Sequence, residues 1–187
     1  MKIMKKLMYL FLILELGHVL SCKKDSTVLR KVGEKYEGGV IAYLLKSGDT
    51  GYDPKVQHGI IAAIEDQSKS IQWSNSNVNT GAGGWDIGKG KTNTETIVQK
   101  QGVGNYAAKL CADLSLNGYT DWYLPSRYEL EQIGINKTLI GGFDPNYYWC
   151  SSETNQTDVL CYDFGPANGT FNVSKADFYR VRAIRYF

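Results

Sequence analysis

The order of its hydrophobic patterns constrains the fold of this chain more than any other feature of the sequence. Two helix-like segments, Asn105–Leu116 and about Arg127–Ile135, follow each other directly, and short strand-like segments lie on both sides of them. A doubly wound sheet needs strands and helices in alternation, because each crossover between parallel strands usually carries a helix. The sequence therefore predicts an α+β fold with antiparallel strands.

The strand-like segments form two groups. Val40–Leu45 and His58–Ile64 are short apolar runs separated by a Gly/Asp turn, and together they predict a β-hairpin. The stretch from Tyr147 to Phe187 predicts four further short strands with Gly and Asn turns. Between the groups, residues 68–104 are rich in Asn, Ser, Thr and Gly and predict a long irregular loop region, a kind of segment that often carries function.

The first 21 residues have the pattern of a secretory signal peptide. Lys2, Lys5 and Lys6 precede the apolar run Leu7–Leu20, which is shorter than the roughly 20 residues that a membrane-spanning helix needs. Val19-Leu20-Ser21-Cys22 resembles the bacterial lipobox, and this resemblance implies that Cys22 is diacylated, with palmitate-type chains, and becomes the mature N-terminus. We expect a signal peptide over 1–21, a lipid-anchored linker over 22–37 and a folded domain over 38–187.

The charge balance excludes several classes of function for the mature chain. The leader holds three of the 21 basic and one of the 19 acidic residues, so 18 of each remain after cleavage. A neutral domain is not a general nucleic-acid binder, since such binders carry a basic surface. His58 is the remaining histidine, which argues against a multi-histidine metal site and against histidine-dependent catalysis. We therefore expect no metal and no cofactor.

Three cysteines remain beyond Cys22. Cys150 and Cys161 lie in successive strand-like segments, so a hairpin could bring them together as a disulfide in an oxidising compartment. The alternative is that both are free buried thiols. Cys111 lies in a helical pattern and is expected to be a small buried apolar residue.

A set of motifs in the second half of the chain resembles a known family. The segments are Gly118-Tyr119-Thr120-Asp121-Trp122, then Leu124-Pro125-Ser126 with Glu129-Leu130, then Tyr148–Glu153, and finally Tyr179–Phe187. They are similar to the Lcl C-terminal domain family, named for collagen-like bacterial surface adhesins, and the likeness covers about Gly38 to Phe187. Cys150 and Cys161 depart from the family pattern. The motif residues with a structural role are Asp121, Trp122, Pro125, Ser126, Glu129, Trp149, Glu153, Arg182 and Arg185.

Most of these motif residues are expected to support the fold. Ser126 and Glu129 have the spacing of a capping box, and Arg180 and Arg182 share one face of the last strands. A buried arginine needs a carboxylate, and the partners considered are Glu129, Asp121 and Glu153. The same motifs resemble the wider C-type-lectin-like group, which implies a compact domain with two helices, antiparallel strands and a long irregular loop region.

The resemblance and the composition together predict a non-catalytic surface module. Aromatic faces stack on sugars while amides bind hydroxyl groups, so an exposed set of such residues suits a glycan or protein ligand. The chain is expected to be an outer-membrane lipoprotein of a bacterial cell envelope, exposed at the surface, membrane-attached by its lipid and able to form homo-oligomers. The alternatives are an envelope enzyme distantly related to formylglycine-generating enzymes and a structural subunit of a surface assembly. The predicted ligand-binding residues are Trp73, Trp85, Tyr147, Tyr148, Asn168 and Phe171. For Trp73 and Trp85 the alternative is that their rings attach the long loop to the core.

Overall fold

The computed structural model describes residues 29–187, so the predicted signal peptide and the lipidation site Cys22 lie outside the described residues. The strands are β1 (Lys35–Tyr36), β2 (Gly39–Leu44), β3 (Gly59–Ala62), β4 (Ser68–Gln72), β5 (Tyr147–Glu153), β6 (Asp158–Asp163), β7 (Thr170–Ser174), β8 (Phe178–Val181) and β9 (Ile184–Tyr186). The helices are α1 (Gly90–Gln101), α2 (Ala107–Ala112), α3 (Arg127–Ile135) and α4 (Lys137–Ile140). The α+β class predicted from the order of patterns is confirmed.

The strands form two sheets, and the last part of the chain contributes one strand, β8 or β9, to each of them. One sheet has the order β1-β2-β3-β9 and is antiparallel throughout, with the predicted hairpin as its centre. The other has the order β4-β8-β5-β6-β7, and its pairs are antiparallel except for β5 with β8. The segment expected to give four strands after Tyr147 gives five, because its last part supplies β8 to one sheet and β9 to the other.

Both faces of the central strands are buried. In β2, Ile41 packs into one apolar cluster while Val40 and Ala42 pack into a second cluster on the other face. Trp149 and Tyr148 in β5 divide between the same two clusters. Since successive residues of a strand point to opposite faces, these strands are covered on both sides and read as continuous apolar runs.

Helix α1 lies inside the stretch predicted to be irregular, so that prediction is wrong for residues 90–101. Its buried positions, Gly90, Asn93, Thr94 and Ile97, have helical spacing, but polar and small residues occupy most of them. The polar side chains are satisfied internally. The Asn93 amide donates to the Gly84 carbonyl, and the Thr94 hydroxyl accepts from the Leu124 N–H at 3.0 Å. An apolar periodicity could not reveal a helix of this kind.

Both predicted helices are present, but the bounds were predicted more accurately for one than for the other. Helix α3 spans the expected residues and begins with the predicted capping box, in which Ser126 and Glu129 bond each other's backbone N–H groups. Helix α2 covers only residues 107–112 of the predicted Asn105–Leu116. Asn117 and Gly118, expected to stop that helix directly, both have positive φ and instead form the turn of a short bridge between Leu116 and Tyr119.

The proposed Cys150–Cys161 disulfide is excluded by the register of β5 and β6. Trp149, not Cys150, lies opposite Cys161, so the two cysteine side chains point to opposite faces of the sheet. Cys150 packs in one apolar cluster and Cys161 in the other, and both thiols are free and buried. The alternative of free buried thiols is therefore correct, and Cys111 is buried as expected.

The folded unit begins before the predicted domain start at Gly38. Gly33 donates its N–H to the Ile41 carbonyl at 2.8 Å, and β1 pairs with β2. Val32 and Tyr36 pack against the first apolar cluster. Residues 29–37 thus belong to the fold rather than to a linker. Across residues 29–187 the structure contains no helix long and apolar enough to cross a membrane.

Candidate functional site

The six residues predicted to bind a ligand do not form one surface. Trp73 is fully buried, so its assignment to an exposed surface is wrong. Its indole Nε1 donates to the Cys150 carbonyl at 2.8 Å, and the Lys175 ammonium lies 4.9 Å from the ring centroid. The ring therefore attaches the start of the long connection after β4 to the core, and it is not available to a ligand.

Tyr148 is also fully buried, because it occupies the middle of β5 with its ring in the second apolar cluster. Its hydroxyl donates to Asp66 Oδ2 at 3.0 Å. Burial raises the pKa of Tyr148 to about 12. The expectation that Tyr148 contacts a ligand is wrong for the same reason as for Trp73.

Tyr147 and Phe171 lie on the second sheet, where they form part of an aromatic row. The Tyr147 ring is 5.8 Å from Phe171 and 5.2 Å from Tyr179, in edge-on and tilted arrangements. Phe171 is 38% exposed. Asn168 lies apart from this row, in the β6–β7 turn, where its amide oxygen accepts from Lys137 Nζ at 3.2 Å.

Trp85 is the most exposed of the predicted aromatic residues, with 41% of its area exposed. Its backbone carbonyl accepts the Tyr128 N–H at 3.0 Å, which joins it to the first turn of α3. The Arg127 guanidinium carbon lies 5.3 Å from the Trp85 ring centroid and 4.5 Å from that of Tyr128. A cation within about 6 Å of both ring centroids is attracted to both ring faces, which stabilises the orientations of the two rings.

Further hydrogen bonds fix this group from below. Ser152 Oγ accepts the Arg127 N–H at 2.9 Å and donates to the Gly84 carbonyl at 2.7 Å, so β5 supports both α3 and the residue before Trp85. We call Trp85, Arg127 and Tyr128 the Trp85 platform. The platform is exposed on its outer side and held by backbone contacts on its inner side.

A polar cleft of about 380 Å³ adjoins the platform at Tyr128. Its walls combine carboxylates, an amide, hydroxyls and aromatic rings, a mixture able to bind several hydroxyl groups at once. The Tyr43 hydroxyl donates to Asp49 Oδ2 at 2.8 Å, and burial together with Asp49 raises the pKa of Tyr43 to about 12. The lining residues are Tyr43, Gly48, Asp49, Thr50, Asp86, Ile87, Tyr128 and Gln132.

Glu129 holds the loop that carries Trp85 against α3. One of its oxygens accepts the Gly88 N–H at 2.9 Å and the Tyr186 hydroxyl at 2.9 Å, and the other accepts the Ser126 N–H at 2.7 Å. The side chain is completely buried, and burial raises the pKa of the Glu129 carboxyl. Its position behind the loop makes it a positioning group for the platform.

The buried arginines find carboxylate partners, but none of the three carboxylates considered from the sequence pairs with Arg180 or Arg182. Arg182 Nε donates to Asp66 Oδ1 at 2.7 Å, and Arg180 pairs with the same carboxylate, which was not among the partners considered. Arg185 pairs with Asp121 at 2.7 Å. Arg180 and Arg182 are 13% and 0% exposed at their side chains, so they do not form a basic surface patch for an anionic ligand.

Glu153 pairs with a lysine rather than an arginine. Its carboxylate contacts the Lys175 ammonium and accepts the backbone N–H groups of Thr80 and Gly81. Lys175 also donates to the Val78 and Gln156 carbonyls at 3.1 Å and 2.9 Å. This buried pair joins the connection after β4 to the β5–β6 hairpin.

Arg127, Tyr128 and the cleft residues around Asp49 were not predicted from the sequence. Arg127 and Tyr128 directly follow the capping serine and lie outside the apolar stripe that Leu130 and Ile133 predict for α3, and this position was the usable signal. Asp49 and Thr50 approach the platform through the packing of two loops, in which Thr50 lies against Gly88. No local sequence pattern predicts such a contact.

Comparisons with known proteins agree with the motifs. A family model described as the Lcl C-terminal domain matches residues 62–185, about two thirds of the chain. None of the curated proteins matches the chain in sequence. Among solved structures, the fold is similar to that of a fimbrial protein from Bacteroides ovatus, with a TM-score of 0.50 and 14% identity over 78% of this chain. The chain spans 43% of the length of that protein, and the likeness concerns the fold alone.

Proposed function

Because the chain belongs to the Lcl C-terminal domain family, we propose that it is a non-catalytic module of the bacterial cell envelope that binds a glycan at the Trp85 platform and its adjoining cleft. A lipid on Cys22 would attach the module to the outer membrane. The signal-like leader and the lipobox-like sequence before Cys22 support this location. The neighbouring fold belongs to a fimbrial protein, which is in keeping with a place at the cell surface.

The main support for the proposal is that the Trp85 ring is exposed to solvent while its orientation is fixed. An aromatic ring that only covers a core is buried, as Trp73 and Trp149 are, whereas Trp85 keeps 41% of its area exposed. Its orientation is nevertheless set by Tyr128, Arg127 and the bonds through Ser152. Preorganised aromatic surface lowers the entropic cost of binding.

The cleft supplies the polar half of such a site. Asp49, Asp86 and Gln132 offer oxygen acceptors and an amide donor within one concave surface next to Tyr128. A sugar ring has an apolar C–H face and a rim of hydroxyl groups, so it matches a flat aromatic ring beside hydrogen-bonding side chains. The mature chain is neutral, and the proposal therefore rests on shape and stacking rather than on general attraction of anions.

The test is a glycan array that includes glycosaminoglycans and microbial glycans, probed with residues 23–187, which contain the whole described fold. For the best-binding glycan, Trp85→Ala should weaken affinity by roughly tenfold to a hundredfold, as for other anchoring aromatics at binding surfaces.

Phe178→Ala is the matched control, since Phe178 is an exposed aromatic, at 59%, on the second sheet. It should leave affinity unchanged. Equal losses in the two variants, or no binding across the array, would contradict the proposal. Conversion of the bound glycan into products would refute its non-catalytic part.

A further inference from the structure

Strand β7 leaves one edge of the second sheet open. It is the last strand in the order β4-β8-β5-β6-β7, and it pairs with β6 along its whole length without a bulge. In the part of the chain that the structure describes, no strand pairs with its outer side. An open edge offers a row of backbone donors and acceptors to another strand.

The other three sheet edges are blocked by the means that proteins commonly use against edge pairing. Strand β1 has only two residues, and β4 carries an irregularity and the exposed Lys69. The outer side of β9 is covered by Tyr123, which exchanges backbone bonds of 2.8 Å and 3.0 Å with Ile184. Strand β7 has none of these protections, and residues 164–174 contain no charged side chain.

The backbone bonds next to β7 show which of its groups face outward. Asp163 donates its N–H to the Gly169 carbonyl, and Lys175 donates to the Thr157 carbonyl, so the odd-numbered residues of this stretch bond to β6. In an antiparallel ladder the alternate residues point their backbone groups away from that neighbour. The groups at the open edge therefore belong to Thr170, Asn172 and Ser174.

The side chains of β7 are self-complementary about its middle residue. If a second β7 approached antiparallel with Asn172 opposite Asn172, Thr170 would lie opposite Ser174 and Phe171 opposite Val173. Polar residues would then meet polar residues, and an aromatic residue would meet a β-branched one, which is a favourable cross-strand pair. No charges would oppose each other, and the outward backbone groups of both strands would face across the junction.

We propose that a second copy of this chain adds to the β7 edge, giving a two-fold dimer whose second sheets join into one continuous sheet. The two-fold axis passes between the Asn172 residues of the two copies. Such an interface is isologous and closes on itself, so it yields a dimer rather than a fibre. The junction also brings the two rows formed by Tyr147, Phe171 and Tyr179 onto the same face of the joined sheet.

Sedimentation equilibrium of residues 23–187 over a range of concentrations tests the dimer. We expect a reversible monomer–dimer equilibrium, and Asn172→Lys should raise its dissociation constant at least about tenfold because it places like charges opposite each other at the axis. Asn172→Thr, which is neutral and suited to a strand, should preserve the dimer. A monomer at all concentrations, or equal dimerisation of Asn172→Lys, would overturn the proposal.

Cross-linking separates this dimer from one formed through another surface. Asn172→Cys should give a disulfide-linked dimer on mild oxidation, since directly opposed residues of an antiparallel pair lie within about 5.5 Å between Cα atoms. Ala167→Cys is a control at another exposed position, in the β6–β7 turn, and its two copies would lie roughly 30 Å apart along the strands. Cross-linking of the control alone, or of neither variant, would exclude the Asn172-centred pairing.

Discussion

At the scale of single residues, Gly90 decides how closely α1 approaches the start of α3. A Cβ atom at this position would lie 2.2 Å from Glu129 Oε2 and 2.8 Å from the Ser126 N, which are the two partners of the capping box. These atoms are held by their own hydrogen bonds and have little room to move. A side chain at position 90 would therefore disturb the group that supports the Trp85 platform.

We expect Gly90→Ala to lower the free energy of unfolding by about 1–3 kcal/mol, the usual cost of overpacking a core. Urea unfolding of the purified variant measures the change. Gly83→Ala is the control, because a Cβ there meets nothing within 4 Å. If both variants were equally stable, the close contact between α1 and the α3 cap would be contradicted.

The pKa values of the buried carboxyl groups of Glu129 and Glu153 are shifted in opposite directions. Burial raises the pKa of Glu129, whereas Lys175 and the N–H groups of Thr80 and Gly81 hold the pKa of Glu153 below its ordinary value of 4.5 despite burial. Stability contributed by a lowered carboxyl pKa is present above the unfolded value and is lost as the pH falls through the folded one.

Glu153→Gln should therefore cost about 3–5 kcal/mol of unfolding free energy at pH 7, since it leaves Lys175 buried without its counter-charge. The gap between wild type and variant should shrink as the pH is lowered below 4.5. Urea unfolding at several pH values measures this gap. Glu95→Gln, at an exposed position of α1, is the control. A gap that did not change with pH would contradict the role given to the Glu153 charge.

At the scale of elements, the β5–β6 hairpin shows how a strand register overrides a plausible cysteine pairing. Two cysteines in adjacent strands can be bridged only when their side chains share a face, and here a one-residue offset separates them. Both thiols have pKa values raised to about 12, mainly by burial. They are therefore poor nucleophiles in the folded state.

A reductant should leave the thermal stability of the domain unchanged. We expect the Tm of residues 23–187, prepared under oxidising conditions, to be the same within about 1 °C with and without dithiothreitol, because no loop is closed by a disulfide. Differential scanning fluorimetry measures this. A clear fall in Tm on reduction would contradict the register of β5 and β6.

The helices differ in how far local sequence signals predict them. Helix α3 was predictable because its cap, Ser126 with Glu129, and its apolar positions Leu130 and Ile133 are local signals. Helix α1 was not, because its buried stripe uses Asn93 and Thr94, whose hydrogen bonds to distant backbone groups exist only in the folded state. In the candidate site, Trp85 was predicted from the aromatic and amide composition of its segment. The cleft residues beside it come together only through long-range contacts, which hydrophobic periodicity does not encode.

At the scale of the whole molecule, the proposed lipid attachment site lies outside the described fold. The described strands and helices all lie within residues 29–187, so we expect loss of the proposed lipid on Cys22 not to affect their folding. We expect Cys22→Ala to move the protein from the membrane to the soluble fraction of cells while its unfolding curve stays unchanged. Fractionation followed by immunoblotting measures this, and an unchanged membrane fraction would refute the lipid anchor.

Both sheets need the last residues of the chain, and this affects when the protein can fold. Residues 178–187 place β8 between β4 and β5 and place β9 against β3, so neither sheet is complete without them. A chain threaded through a translocation channel with its leader first would have both sheets incomplete until this stretch emerged. If the leader directs export as proposed, this order places the closing of both sheets after nearly the whole chain has crossed the membrane.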